Sequence, residues 1–172
     1  RQGKALYVGI SNYKPAEAEK AFAILKKLGT PCIIHQPKYS MFERWVEDGL
    51  LDLLVKEGVG CIPFSPLAQG LLTNKYLHGI PQDSRIAKGV GFLKQEHVTE
   101  EIIAQIKALN TIAAQRAQTL AQMALSWILK DKRITSVLVG ASKSEQLLDS
   151  LKCKDNINFS EKELNEIEDI LK

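Results

Sequence analysis

The chain has 172 residues, 45% hydrophobic, 25% charged and 6% aromatic, which excludes collagen-like, low-complexity and intrinsically disordered classes. Its formal charge of +3 is too small and too dispersed for a nucleic-acid footprint, and no run of about 18 apolar residues is present to insert in a membrane. Cys32, Cys61 and Cys153 stand far apart with no C-x-x-C, which fits reduced thiols in a cytoplasmic protein rather than a disulfide framework or a zinc site.

In chain order, residues 1–4 read as the tail of a helix that begins upstream. Leu6-Tyr7-Val8-Gly9-Ile10 is a β-prone run closed by Ser11-Asn12. Pro15 suits a first helical turn, and Ala18, Ala21, Phe22, Leu25 and Leu28 then lie on one helical face that ends at Gly29. Pro31-Cys32-Ile33-Ile34-His35 predicts a second strand, residues 36–39 a loop, and residues 41–56 a helix broken around Gly49. Gly60-Cys61-Ile62-Pro63-Phe64 predicts a third strand, with Pro63 placed at its end or on a bulge because it cannot donate to a ladder. A turn at residues 65–68, a short helix near 69–76 and a long aperiodic segment over 78–94 follow, the last read as a loop over a site.

Helices are expected over 99–116 and 119–130, the second opened by a Thr119–Gln122 capping box. Trp127 and Met123 fall at core spacing. A fourth strand is expected over 136–139, ending at Gly140, with a helix starting near Ser144. The last helix starts at Ser160, with Glu163 as its box partner, and buries Leu164, Ile167 and Leu171.

Strand-then-helix repeated four times, with apolar strands, implies a parallel sheet with helical crossovers. Strand starts near residues 6, 31 and 59 give a repeat that suits a doubly wound sheet or a (β/α)8 barrel. Gly58-Val59-Gly60 precedes its strand and Gly89-Val90-Gly91 has no strand before it, so neither is a dinucleotide fingerprint. The segments after the last two strands, Ser65-Pro66-Leu67-Ala68 and Gly140-Ala141-Ser142, form a plausible anion cradle of backbone N–H groups and a helix dipole.

Gly3 to Asn12, His35-Gln36-Pro37-Lys38-Tyr39, Phe64-Ser65-Pro66-Leu67-Ala68-Gln69-Gly70, Gly79-Ile80-Pro81-Gln82-Asp83-Ser84-Arg85 and Val137 to Ser142 together resemble the aldo-keto reductase superfamily. Within it they look most like the bacterial L-glyceraldehyde 3-phosphate reductases and the potassium channel β subunits. The resemblance implies an α/β fold, the C-terminal half of a (β/α)8 TIM barrel, with the N-terminal half lying outside residues 1–172. It also implies NADPH as cofactor and a small carbonyl compound as substrate. Ser11, Asn12 and Gln36 match the positions that hold the nicotinamide carboxamide, and Phe64 the one that stacks on the ring. Ser65, Pro66, Leu67, Ala68 and Gln69 match the loop along the pyrophosphate. Lys75 and Arg85 match basic residues over the cofactor; Gly140, Ser142 and Gln146 match the 2′-phosphate pocket. Lys143 adds positive charge there, and Asp149 keeps a carboxylate beside the adenine, whereas Ser150 stands where the family commonly has Asn.

The family's catalytic Asp, Tyr, Lys and His belong to the first half of the barrel and match no position here. None of Tyr7, Tyr13, Tyr39 and Tyr76 is carried over as proton donor. Read on residues alone, Ser142 with Glu145 is a helix N-cap, Phe64 a core residue, Lys75 and Arg85 surface charges, and His35 a satisfied core histidine. His78 and His97 are loop residues without metal-ligand spacing. The function implied is carbonyl reduction with NADPH; the alternative is an NADPH-binding regulatory module like a channel β subunit. Two open parallel sheet edges are expected, covered by a second copy or another chain.

Overall fold

Three parallel strands carry the sheet of the computed structural model, which describes residues 2–76, 96 and 98–172. β1 (Val8–Ser11), β2 (Cys32–Gln36) and β3 (Gly60–Cys61) lie in the order β1-β2-β3. The crossovers contain α1 (Pro15–Lys27) and α2 (Leu50–Glu57), so the first two strand–helix units fall where the hydrophobic pattern puts them, with β1 starting at Val8 rather than Leu6. The protein is therefore α/β with a parallel sheet. The expected segment 78–94, with His78 and Arg85, lies outside the described residues, as does His97.

Proline explains where the regular strands stop. Beyond β2 and β3 the two chains stay side by side: Ile62 N–H donates to His35 O at 3.1 Å, Phe64 N–H to Pro37 O at 3.0 Å, and Tyr39 N–H to Phe64 O at 3.3 Å. In a parallel ladder the intervening bond would run from residue 37 to the Ile62 carbonyl, and Pro37 has no N–H. The predicted third strand, 60–64, is thus regular only at Gly60–Cys61.

The fourth strand expected over 136–139 is not a regular strand either. Its segment runs beside β3, with Thr135 and Ser136 N–H groups donating to Cys61 O at 2.9 and 3.3 Å and Leu138 N–H to Pro63 O at 2.9 Å. The return bond to the Ser136 carbonyl would have to come from Pro63. The ladder is one-sided because that donor does not exist.

Gly49 (φ 85°) breaks the predicted 41–56 helix as expected, leaving a 3-10 turn at Trp45–Glu47 before α2. The short helix near 69–76 is instead two 3-10 turns, Ala68–Gly70 and Asn74–Tyr76. α3 (Glu100–Gln115) and α4 (Leu120–Leu129) pack together, and α4 opens with the Thr119–Gln122 box. α5 (Ser144–Leu151), a 3-10 turn at Lys152–Asn156 and α6 (Glu161–Leu171) complete the chain, α6 opening with the Ser160–Glu163 box. Trp127 and Met123 are buried, as is Ile167, but Leu164 and Leu171 are only half-buried and Leu28 is exposed as the C-cap of α1.

Large apolar side chains stay uncovered at both ends of this arrangement. Leu6 (92% exposed), Tyr7 (73%), Ile24, Leu28 and Ile33 lie toward the β1 side; Leu138, Leu147, Leu148 (63%) and Leu151 lie toward the 138 segment and α5. Among the described residues, no helix is long and apolar enough to cross a membrane.

Strand contact is close enough to test. A Cβ at Gly9 would sit 3.0 Å from the Ile34 carbonyl oxygen, a backbone atom that cannot swing away, whereas one at Gly140 would meet nothing within 4 Å. Gly9→Ala is expected to destabilise the protein by roughly 1–3 kcal/mol and Gly140→Ala to be near neutral, measured by urea unfolding.

Candidate functional site

Parallel pairing gathers the carboxyl ends of the strands at one end of the sheet. There the Ser11 hydroxyl donates to Gln36 O at 2.7 Å, Asn12 N–H donates to the same oxygen at 3.2 Å, and Ser11 and Gln36 are register partners. Asn12 Oδ1 accepts from Lys38 N–H at 2.9 Å, and Lys38 pairs with Phe64 in an isolated parallel bridge. Ser11, Asn12, Gln36 and Phe64 are therefore linked through neighbouring strand ends. Gly140, two residues past the Leu138–Pro63 bond, follows the same line.

The backbone here is unusual. Among the described residues the non-glycine positions with positive φ are Asn12 (59°), Ser65 (56°), Ala68 (46°), Gln69 (59°) and Ala117 (53°). All but Ala117 are predicted site residues. A left-handed non-glycine residue costs about 1 kcal/mol, least for asparagine, so such a concentration needs fixed surroundings. Turn bonds from Ala68 N–H to Ser65 O (2.9 Å) and Gly70 N–H to Leu67 O (2.8 Å) supply part of the restraint. Buried Pro66, Leu71, Leu72 and Tyr76 anchor the loop from beneath. Lys75 is exposed at its far end, with its amide on Thr73 Oγ1 at 3.2 Å.

At the start of α5 the expected Ser142–Glu145 cap does not form. Lys143 is the N-cap residue and makes no side-chain cap bond. Gln146 Oε1 turns back to accept from Ser142 N–H at 2.9 Å and from its hydroxyl at 3.1 Å, while Glu145 accepts from the Ser144 hydroxyl. The amide of Gln146 outcompetes the carboxylate because it lies one position further round the turn, above Ser142. Ser142, Lys143 and Gln146 are thus brought together, exposed, at a helix start. Asp149 is engaged elsewhere: its Oδ1 accepts from Gln122 Nε2 of α4 at 2.7 Å. The Ser150 hydroxyl turns onto its own helix, donating to Gln146 O at 2.8 Å.

Two groups near the strand ends have altered acidity. His35 is fully buried, and burial holds its pKa below the ordinary imidazole value against a bond to Tyr13 O. The Cys61 thiol is pushed up to about 12, first by burial and then by the Asp131 carboxylate, so it stays protonated and inert. Tyr39 is buried with its hydroxyl donated to Glu47 Oε1 at 2.8 Å; burial and then that carboxylate raise its pKa. It is a structural phenol.

The sequence reading passed over Lys38. Its amide fixes the Asn12 side chain, and its ammonium pairs with Glu43 at 3.0 Å. No local signal marks a contact between residues 26 apart in sequence.

Residues 1–172 match the model of the Aldo/keto reductase family. The chain belongs to that family. It is 52% identical over 172 residues to the L-glyceraldehyde 3-phosphate reductase of Escherichia coli K12, an alignment covering 98% of this chain and 50% of the relative. The enzyme of the same name from Escherichia coli O157:H7 is 51% identical over the same shares. The chain thus spans about half the length of these curated relatives. Membership fits the strand-end residues and the left-handed loop, the parts of the chain in which the resemblance to this family was legible.

Proposed function

We propose that this chain forms the cofactor-binding half of an aldo/keto reductase that reduces small aldehydes or ketones with NADPH. Phosphorylated aldehydes such as glyceraldehyde 3-phosphate are included, by analogy with what its relatives are named for. The observation that carries the reading is the placement of Asn12, Ser65, Ala68 and Gln69, all left-handed, at the carboxyl ends of parallel strands. Strain concentrated in one surface region fits a loop shaped to a ligand rather than to the core.

The donor set suits a dinucleotide. Asn12 and Gln36 offer amide groups at one end, Phe64 an aromatic face beside them, and Ser65–Gln69 backbone along the middle. At the other end the first turn of α5, with no side chain capping it from Lys143, offers amides, a positive dipole end and the Lys143 charge to a phosphate, and the Ser142 hydroxyl would join them by turning away from Gln146 Oε1. Lys75 and Arg85 would add charge over the phosphates. When bound, NADPH supplies the hydride; the protein's part is orientation and electrostatics. On this reading the proton donor belongs to the other half of a closed barrel, since no tyrosine of this chain matches the family's donor position.

The full-length protein should oxidise NADPH on addition of a small aldehyde. Lys143→Glu in that protein is expected to weaken NADPH roughly tenfold while leaving NADH nearly unchanged, measured by fluorescence titration. Equal losses for both cofactors would remove the 2′-phosphate assignment, and a full-length protein that binds NADPH yet reduces no aldehyde would favour the regulatory reading.

A further inference from the structure

Successive strand residues point to opposite faces, so Gln36 turns toward Ser11 while His35 turns into the interior, where it is fully buried. Its Nε2 lies 3.1 Å from the carbonyl oxygen of Tyr13. A carbonyl only accepts, so the proton sits on Nε2 and Nδ1 carries a bare lone pair. Among the described residues that Nδ1 has no partner. A buried acceptor left unpaired is unfavourable, and the register neighbours of His35, Ile10 and Cys61, ask only for an apolar side chain of similar size. What the imidazole supplies, and a leucine would not, is the bond to residue 13.

That bond falls immediately after the left-handed Asn12. Ser11 and Asn12 are tied to Gln36 O, Asn12 Oδ1 is tied to Lys38 N–H, and the Tyr13 carbonyl is tied to His35. Three consecutive residues at the exit of β1 are therefore held by His35 and Gln36 of β2 and by Lys38 just beyond it. The Lys38 bond also fixes which way the Asn12 amide faces: its oxygen is occupied, so the group left for a ligand is the Nδ2 donor.

We propose that His35 is a positioning residue of the cofactor site, holding the Asn12 turn so that the asparagine presents its Nδ2 donor. This rests on the reading of the strand ends as an NADPH site. It places His35 outside the ligand's reach but upstream of its nicotinamide end, with no hold on the phosphate end around Ser142 and Lys143.

The test uses the full-length protein with His35→Phe, which keeps the bulk and removes the donor, and His35→Gln, whose amide nitrogen can replace Nε2. NADPH reads the whole site; adenosine 2′,5′-bisphosphate reads the phosphate end alone. The expected result is that His35→Phe weakens NADPH about tenfold, the size of one hydrogen bond, leaves the bisphosphate unchanged, and that His35→Gln recovers most of the loss. If His35→Phe binds NADPH like wild type, or loses both ligands equally along with thermal stability, the positioning role is overturned. If wild type itself binds the bisphosphate but not NADPH, or neither, the cofactor reading fails first and the proposal with it.

Discussion

Residues 1–172 produced by themselves are expected to show no NADPH-dependent aldehyde reduction, whereas a chain that also carries the other half of the proposed barrel is expected to show it. Reduction needs a proton donor placed at the substrate oxygen, and no tyrosine here matches the family's donor position. Tyr39 is buried against Glu47, and Tyr76 is buried beneath the Gly70 turn. Tyr7 and Tyr13 are exposed, and among the described residues no lysine or histidine side chain bonds either hydroxyl. The same chain carries apolar surface on both sides, Leu6 and Tyr7 at one and Leu147, Leu148 and Leu151 at the other. β1 pairs only with β2, and the 138 segment bonds only to β3 among the described residues. Unpaired parallel edges flanked by apolar side chains associate. Size-exclusion chromatography of the isolated chain should therefore show self-association or aggregation, and an assay of the same fractions should show no turnover. Measurable turnover by a verified 172-residue chain would place the donor among these tyrosines and refute the assignment.

Arg116→Ala should cost roughly 3–5 kcal/mol of stability in the full-length protein, read by urea unfolding. The guanidinium side chain is 3% exposed and lies 2.6 Å from Glu163 Oε1. It donates to the carbonyls of Asn156 and Asn158 at 2.9 and 3.0 Å, to Gln118 Oε1 at 2.9 Å, and stacks on Phe159 at 3.7 Å. One side chain thus fastens the α3–α4 corner to the segment that leads into α6, and alanine removes the Arg116 donors to the Asn158 carbonyl and Gln118 Oε1 and one donor each from Asn156 O and Glu163. pH provides an independent check. Burial opposes ionisation of Glu163, but the Ser160 amide and hydroxyl and the Arg116 guanidinium hold its carboxyl below the usual range. A carboxyl lowered on folding adds stability above its unfolded pKa of about 4.3 and loses it as pH falls below that value. The acid-side loss should be shallower in Arg116→Ala than in wild type.

Helices were legible where local rules act alone. Thr119 with Gln122, and Ser160 with Glu163, satisfy backbone donors three residues away, so spacing alone locates both starts. Ser142 with Glu145 has the same spacing and fails, because Gln146 on the next position competes for the same donors. The first three strands were legible from apolar runs. The fourth was located but not its irregularity, which depends on Pro63 lying opposite Ser136, a pairing that only the tertiary fold brings about. For the site, motif resemblance located Ser11, Asn12, Gln36 and Phe64, which the sheet then gathers. The roles of Lys38 and His35 were beyond reach, since both act through contacts made across strands. His35 was read as a satisfied core histidine, and half of it is.

The proline-interrupted ladders also give the sheet a gradient of stiffness. Toward the amino ends, β1, β2 and β3 are cross-linked by parallel pairing, with a register shift between Val8 and Gly9. Toward the carboxyl ends, Pro37 and Pro63 each remove a rung, one on either side of the chain that leads to Phe64. The bonds that remain there, Phe64 N–H to Pro37 O and Leu138 N–H to Pro63 O, lack the neighbouring return rungs, so fewer cross-strand hydrogen bonds oppose a displacement. Hydrogen-bond cross-linking is thus sparsest beneath the aromatic ring, and the left-handed loop beyond it depends on its own turn bonds and buried anchors.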